Sequence, residues 1–157
     1  MTTSWRPTLR KRPDDTGPEG VRRSVFVDSG AWIALARARD RHHDEADRLF
    51  RLAAARRLAL LTTSLVVAEV HRWLLFRVGI RAARTALERV DASALVTIRF
   101  TTAAHHAAAK TWLDKFSDQT LTYTDAVSFA VMEAERCRTA LSFDHDFEMA
   151  GFALWRG

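Results

Sequence analysis

A chain of 157 residues suffices for one domain around a single buried core, and no second domain is expected. With 48% apolar and 27% charged residues, no apolar run near the about 18 residues that cross a bilayer, and no apolar segment behind the basic N-terminus, the composition reads as a soluble protein with neither membrane span nor secretory signal. Cys137 is the only cysteine, which excludes an internal disulfide and a thiolate zinc site and fits a reducing cytoplasm.

The net charge of +5 and pI near 10.3 come mostly from arginine, since lysine occurs only at Lys11, Lys110 and Lys115. Such a surface favours polyanionic partners through counterion release, or simply serves solubility. Residues 1–23 hold all three prolines without apolar periodicity, so they are expected to form a disordered basic arm, with the folded domain over 24–157. The cluster Arg10-Lys11-Arg12 in that arm reads either as a phosphate contact or as a solvated tail.

Val25-Phe26-Val27 is uninterrupted by charge, as expected of a parallel strand covered on both faces. It stops at Asp28-Ser29-Gly30, and a helix is expected over 31–36. Asp28 would then stand at the carboxyl end of a buried strand, where open α/β sheets place their ligand crevices. The competing reading is that Asp28 or Ser29 only caps the helix. His42 and His43 are neighbours that would diverge on a helix, so they read as loop or cap before a helix over 45–57. A second strand is expected over 58–61, with Ser64 as N-cap of a helix over 65–78.

That helix carries an apolar stripe of Val66, Val70, Trp73 and Leu74, with Glu69 along its edge and His71 expected in solvent. A carboxylate beside a core is costly unless balanced, and an ion pair with Arg72 or simple exposure are the alternatives to a functional role. Gly79 separates this helix from another over 80–90, and a third strand is expected over 95–100. The helix over 101–116 is read as facing inward through Ala104, Ala107, Ala108, Thr111, Trp112 and Leu113, with His105 and His106 on the surface. Thr122 or Thr124 caps a very apolar helix that is expected to be central, and Asp125 in its first turn is either functional or a capping acid. Strands over 139–143 and 152–155 close the chain, with Asp144-His145-Asp146 after the first of them, while Cys137 reads as a small apolar filler at a helix end.

This alternation predicts an α/β fold, a mostly parallel sheet of four to five strands with helices on both faces. Asp28, Glu69, Asp125 and Asp144 could then converge at one end of the sheet. Carboxylates a few ångström apart repel unless a cation neutralises them, and oxygen-only ligands suit Mg²⁺ or Mn²⁺ rather than zinc.

The segments VFVDSGAWIAL, HDEA from His43, TTSLVVAEV, LTYTDAVSFAVMEA and LSFDHDFEMAGF resemble, in order and spacing, the PIN-domain ribonucleases, and among them the VapC-type toxins of toxin–antitoxin pairs. The resemblance covers residue 24 to the C-terminus and implies a three-layer α/β/α PIN-like fold. It implies an Mg²⁺- or Mn²⁺-dependent endoribonuclease with Asp28 and Asp125 as principal metal ligands, Glu69 completing the cluster, and Asp144 as the fourth acid with Asp146 as substitute or assistant. It further implies that Ser29 and Thr124 orient carboxylates or water, that Arg37, Arg72 or Arg77 hold the RNA backbone, and that the partners are RNA, a cognate antitoxin and a second copy of the chain. The alternative is a non-catalytic PIN-type binding module in a protein or RNA assembly. A haloacid-type phosphatase is disfavoured, because Asp28 is followed by Ser29-Gly30-Ala31 and not by a second aspartate two residues on.

Overall fold

The structure is a computed structural model and describes residues 24–157; the expected N-terminal arm lies outside them. The apolar runs become five parallel strands, β1 (Ser24–Val27), β2 (Ala59–Thr63), β3 (Val96–Arg99), β4 (Thr139–Leu141) and β5 (Ala153–Leu154), in the order β3-β2-β1-β4-β5. Strand β1 is central and buried on both faces, with Phe26 and Val27 at 0% exposure, which is why its sequence shows no polar alternation.

Seven helices connect the strands among the described residues: α1 (Ser29–Ala36), α2 (His43–Ala55), α3 (Ser64–Arg77), α4 (Ile80–Ala92), α5 (Ala103–Lys115), α6 (Tyr123–Ala134) and α7 (Asp146–Met149). From β1 the chain steps outward to β2 and β3, then returns across the sheet to β4 and β5. With right-handed crossovers this reversal puts α1 to α4 on one face and α5 to α7 on the other, the expected three-layer α/β/α arrangement. The reversal also makes the gap between β1 and β4 the topological switch point, the place where a parallel sheet opens a crevice at its carboxyl edge.

Helix α6 is buried from Ala126 to Met132 and is the central helix its composition suggested. Phe129 meets Phe147 edge-on at 5.1 Å between centroids and Trp112 at 5.3 Å, so aromatic packing clamps α5, α6 and α7 together. Gly79 joins α3 to α4 with φ of 130°, a left-handed conformation that a side chain would strain.

Several local expectations need correction. The cap of α3 is Thr63, whose hydroxyl accepts from the Val66 N–H at 3.1 Å, and Ser64 is the first helical residue. Helix α5 turns Ala109 and Trp112 inward and leaves Ala104, Ala107 and Thr111 exposed. Alanine is too small to mark a face, and the bulk of Trp112 decides the rotation. His105 is half-buried and closes a capping box with Thr102, while His71 is half-buried against α4 beside Ala86, Leu87 and Val90. Cys137 is a buried filler, its thiol facing the Ser24 carbonyl at 3.3 Å.

Candidate active site

Every strand points the same way, so whatever follows a strand arrives at one edge. Asp28 follows β1 directly, at the switch point, and is 6% exposed. It occupies the N-cap position of α1, yet its side chain makes no capping hydrogen bond. Instead Ser142, buried just beyond β4, donates its hydroxyl to Asp28 Oδ2 at 3.0 Å. The same Ser142 oxygen accepts the Asp144 N–H at 3.0 Å. One serine, 114 residues from Asp28, therefore couples the first acid to the backbone of the fourth.

Glu69 sits on the second turn of α3 and is exposed rather than facing the core. It makes no ion pair with Arg72; its Oε1 accepts the Ser29 hydroxyl at 2.9 Å, which ties α3 to the start of α1. Asp125 lies in the first turn of α6, where Thr122 holds it three ways. The Thr122 hydroxyl donates to Asp125 Oδ2 at 2.6 Å, the Thr122 N–H donates to the same oxygen at 3.2 Å, and the Asp125 N–H returns a bond at 3.1 Å. The capping role weighed for Asp125 is thus present, but it occupies only Oδ2. The hydroxyl that caps α6 and bonds the third acid is that of Thr122, while the Thr124 carbonyl accepts from Ser128 at 2.8 Å.

The electrostatics link the acids. Burial, and next the charge of Asp125, push the Asp28 carboxyl up to about 7, with Glu69 adding to the rise and hydrogen bonds from the Ser29 backbone and Ser142 opposing it. Asp125 is also raised, by burial first, with Glu69 and Asp144 adding and the bonds from Thr122 opposing. Asp28 therefore feels Asp125 and Glu69, and Asp125 feels Glu69 and Asp144. Asp146 is set apart: burial and Asp144 raise it, His145 lowers it, and its N–H donates to Asp144 Oδ1 at 3.1 Å. Asp144 is among the charges that raise Asp125.

As they stand, no three or more His, Cys, Asp or Glu side chains among the described residues form a group ready to hold a metal ion. The donor chemistry nevertheless fits a hard divalent cation: all oxygen, no thiolate, and a carboxyl pushed up to about 7 by burial first and by neighbours of like charge next. A cation among these acids would relieve the repulsion that raises Asp28 and Asp125.

The arginines suggested for substrate are differently placed. Arg72 stacks over Phe76 at 5.3 Å and Arg37 over Trp73 at 5.6 Å, so both rest on aromatic surface of α3. Arg77 ends α3 eight residues beyond Glu69, about 12 Å along the axis, toward the opposite edge of the sheet. Sequence reasoning missed Ser142; the available signal was a small hydroxyl between an apolar strand and an acid, too common a pattern to single out.

Comparison with known proteins identifies the family. The PIN domain family model matches residues 25–153. The chain is 35% identical over 128 residues to the protein described as 23S rRNA-specific endonuclease VapC20 in two strains of Mycobacterium tuberculosis, covering 82% of this chain and 95% of the relative. The crystal structure of Mycobacterium tuberculosis VapC20, described as a sarcin–ricin loop cleaving toxin, superposes with a TM-score of 0.77 at 34% identity, over 85% of this chain and 99% of that one. VapBC2 from Rickettsia felis, solved bound to a promoter DNA fragment, shares the fold at a TM-score of 0.64 and 14% identity, over 84% and 97% of the two chains. The chain belongs to the PIN-domain family and is of the VapC type.

Proposed function

We propose that this protein is an Mg²⁺- or Mn²⁺-dependent endoribonuclease, the toxin of a toxin–antitoxin pair, that hydrolyses phosphodiesters in 23S ribosomal RNA. The observation supporting this reading is the set of links around the switch point: Ser142 bonds both Asp28 and the Asp144 N–H, Ser29 next to Asp28 bonds Glu69, and burial with the charge of Asp125 pushes Asp28 up to about 7. The substrate class follows from the VapC20 relatives, whose description names 23S rRNA and, for the solved structure, its sarcin–ricin loop.

Asp28 and Asp125 would hold the ion, and Glu69 would complete the cluster. When bound, the ion supplies positive charge to the developing phosphorane-like transition state and lowers the pKa of water nearby. The protein does the rest by position. Ser142 keeps Asp28 Oδ2 turned toward β4, Ser29 keeps Glu69 against α1, and Thr122 locks one oxygen of Asp125 so that the other stays open. Asp144 has Oδ1 occupied by the Asp146 N–H, which leaves Oδ2 to accept a hydrogen bond from the attacking water. A cognate antitoxin and a second copy of the chain belong to this proposal; the exposed Phe76, Val78 and Ile80 at the α3–α4 corner leave apolar surface for a protein partner.

The test is incubation with a 23S rRNA fragment containing the sarcin–ricin loop, with Mg²⁺ or Mn²⁺ and with chelator. Ion-dependent cutting, lost in Asp28→Asn and Asp125→Asn with the fold retained, is expected. No cutting by the wild type with either ion, or undiminished cutting by both variants, ends the proposal. Titration calorimetry with Mn²⁺ separates this reading from a non-catalytic module: heat lost on Glu69→Gln supports the enzyme, and absence of heat in the wild type favours the module.

A further inference from the structure

Beside the acids lies a group of cations that the reaction described above does not use. The Phe143 ring, between Ser142 and Asp144, is stacked by His42 at 4.2 Å between centroids with planes 3° apart. The Arg156 guanidinium lies over the same ring at 5.9 Å, and its Nη1 donates to the Ser142 carbonyl at 2.9 Å. Arg48 Nη2 donates to the Arg156 carbonyl at 3.2 Å, and Arg41 Nε donates to His42 Nε2 at 3.0 Å. That last bond puts the His42 proton on Nδ1, so the imidazole presents a donor as well.

Three arginines are thus linked through the His42–Phe143 stack and the Arg156 carbonyl, all exposed; among the described residues none has a carboxylate within ion-pair distance, the nearest bonded one being Asp40, whose Oδ1 accepts the His42 N–H at 2.9 Å. Gathering like charges without a counter-ion is unfavourable, and the planar forks of arginine suit phosphate oxygens. Their position is equally telling. Ser142 faces the acids through its hydroxyl and this cluster through its carbonyl, and the stacked ring is one residue from Asp144, a Cα step of about 3.8 Å. An RNA strand crossing the acidic centre would bring its next backbone phosphate over these donors.

We propose that Arg41, Arg48 and Arg156, carried on the His42–Phe143 stack, form the seat for an RNA phosphate adjacent to the one cleaved, and that they position the substrate without touching the reacting atoms. This rests on the nuclease reading above and names the residues that hold its substrate. It moves that role from the α3 surface to the C-terminal segment, the loop before α2 and the second turn of α2.

The experiment measures binding of a fluorescent sarcin–ricin loop RNA hairpin to the full chain across a range of salt, in the Asp28→Asn background so that the probe is not consumed. Arg41→Gln and Arg156→Gln should each weaken binding severalfold and flatten the plot of log affinity against log salt by about 0.7, the contribution of one single-strand phosphate contact. Arg156→Lys should restore the slope, since a point charge suffices for counterion release. Arg81→Gln, at the start of α4 near the opposite edge, removes the same charge and should leave the slope unchanged. In the cleaving protein, Arg41→Gln should raise KM with little change in kcat. Loss of the Arg156 bond to Ser142 could disturb the fold; among the described residues the Arg41 side chain bonds its neighbour His42 alone, so its variant decides the matter if Arg156→Gln does not fold. Wild-type slope and KM in Arg41→Gln would overturn the proposal. A wild type that binds RNA with the expected slopes but never cuts would instead overturn the nuclease reading and leave the phosphate seat standing.

Discussion

Asp28 and Asp144 flank the same switch point and are joined through Ser142, yet their surroundings are opposite. Asp28 ends a strand buried on both faces, and burial joined to the charge of Asp125 holds its carboxyl near 7. Asp144 stands exposed in the turn after β4, positioned through its own backbone N–H and that of Asp146. The buried acid has no freedom to move and carries electrostatic tension that a cation would discharge. The exposed acid is held only by short-range bonds and stays wet. One side of the site is built by the core and the other by a loop, so the same change of side chain should have different consequences at each.

The sharpest break in this comparison is loss of the buried acid. Asp28→Asn should lower cleavage by about a thousandfold, equivalent to several kcal/mol of transition-state stabilisation, read as single-turnover cutting of the rRNA fragment. The same substitution should stabilise the metal-free fold at alkaline pH. An acid whose folded pKa of about 7 lies above its unfolded value of 3.8 stabilises the protein below the unfolded value and loses that contribution as pH rises through about 7. In chelator, the wild type should therefore weaken between pH 5 and pH 8 relative to Asp28→Asn, by on the order of a few kcal/mol in urea unfolding. Equal pH profiles would show that burial does not govern this carboxyl.

Removing the joint between the two sides should cost less. Ser142→Ala leaves both acids present but frees Asp28 Oδ2 and the Asp144 N–H, and should lower cleavage about 10- to 100-fold, the usual scale for groups that orient metal ligands. On the exposed side, Asp144→Asn should reduce kcat measurably, while Asp146→Asn, whose side chain is not among the charges felt by Asp125, should change it only slightly. Larger loss at Asp146 than at Asp144 would reverse their roles.

The parts of this site that could be read early are those written locally. A run of three apolar residues broken by an aspartate announces a strand end, and the position of Asp125 three residues after a threonine announces a first turn of helix. Even there the sequence left Thr122 and Thr124 equivalent, because both spacings allow a cap and only the path of the chain into α6 chooses. The face of α5 was misread for a related reason: six small or aromatic residues offered more than one stripe, and packing of Trp112 against Phe129 selected one.

The amino-acid order alone determined that strands and helices alternate, that the sheet is mostly parallel, and that the acids arrive at strand ends or in the first two turns of helices, because these follow from the period of apolar residues, the length of the connections and the short range of capping bonds. Only the tertiary structure decided which groups meet there. Strand β1 must pair with β4 before Ser142 can reach Asp28, and the C-terminal segment must fold back before Arg156 can lie over Phe143. Contacts such as that of Ser142 with Asp28, 114 positions apart, leave no periodic trace in the chain, since their geometry is set by the sheet order and not by any spacing along the backbone.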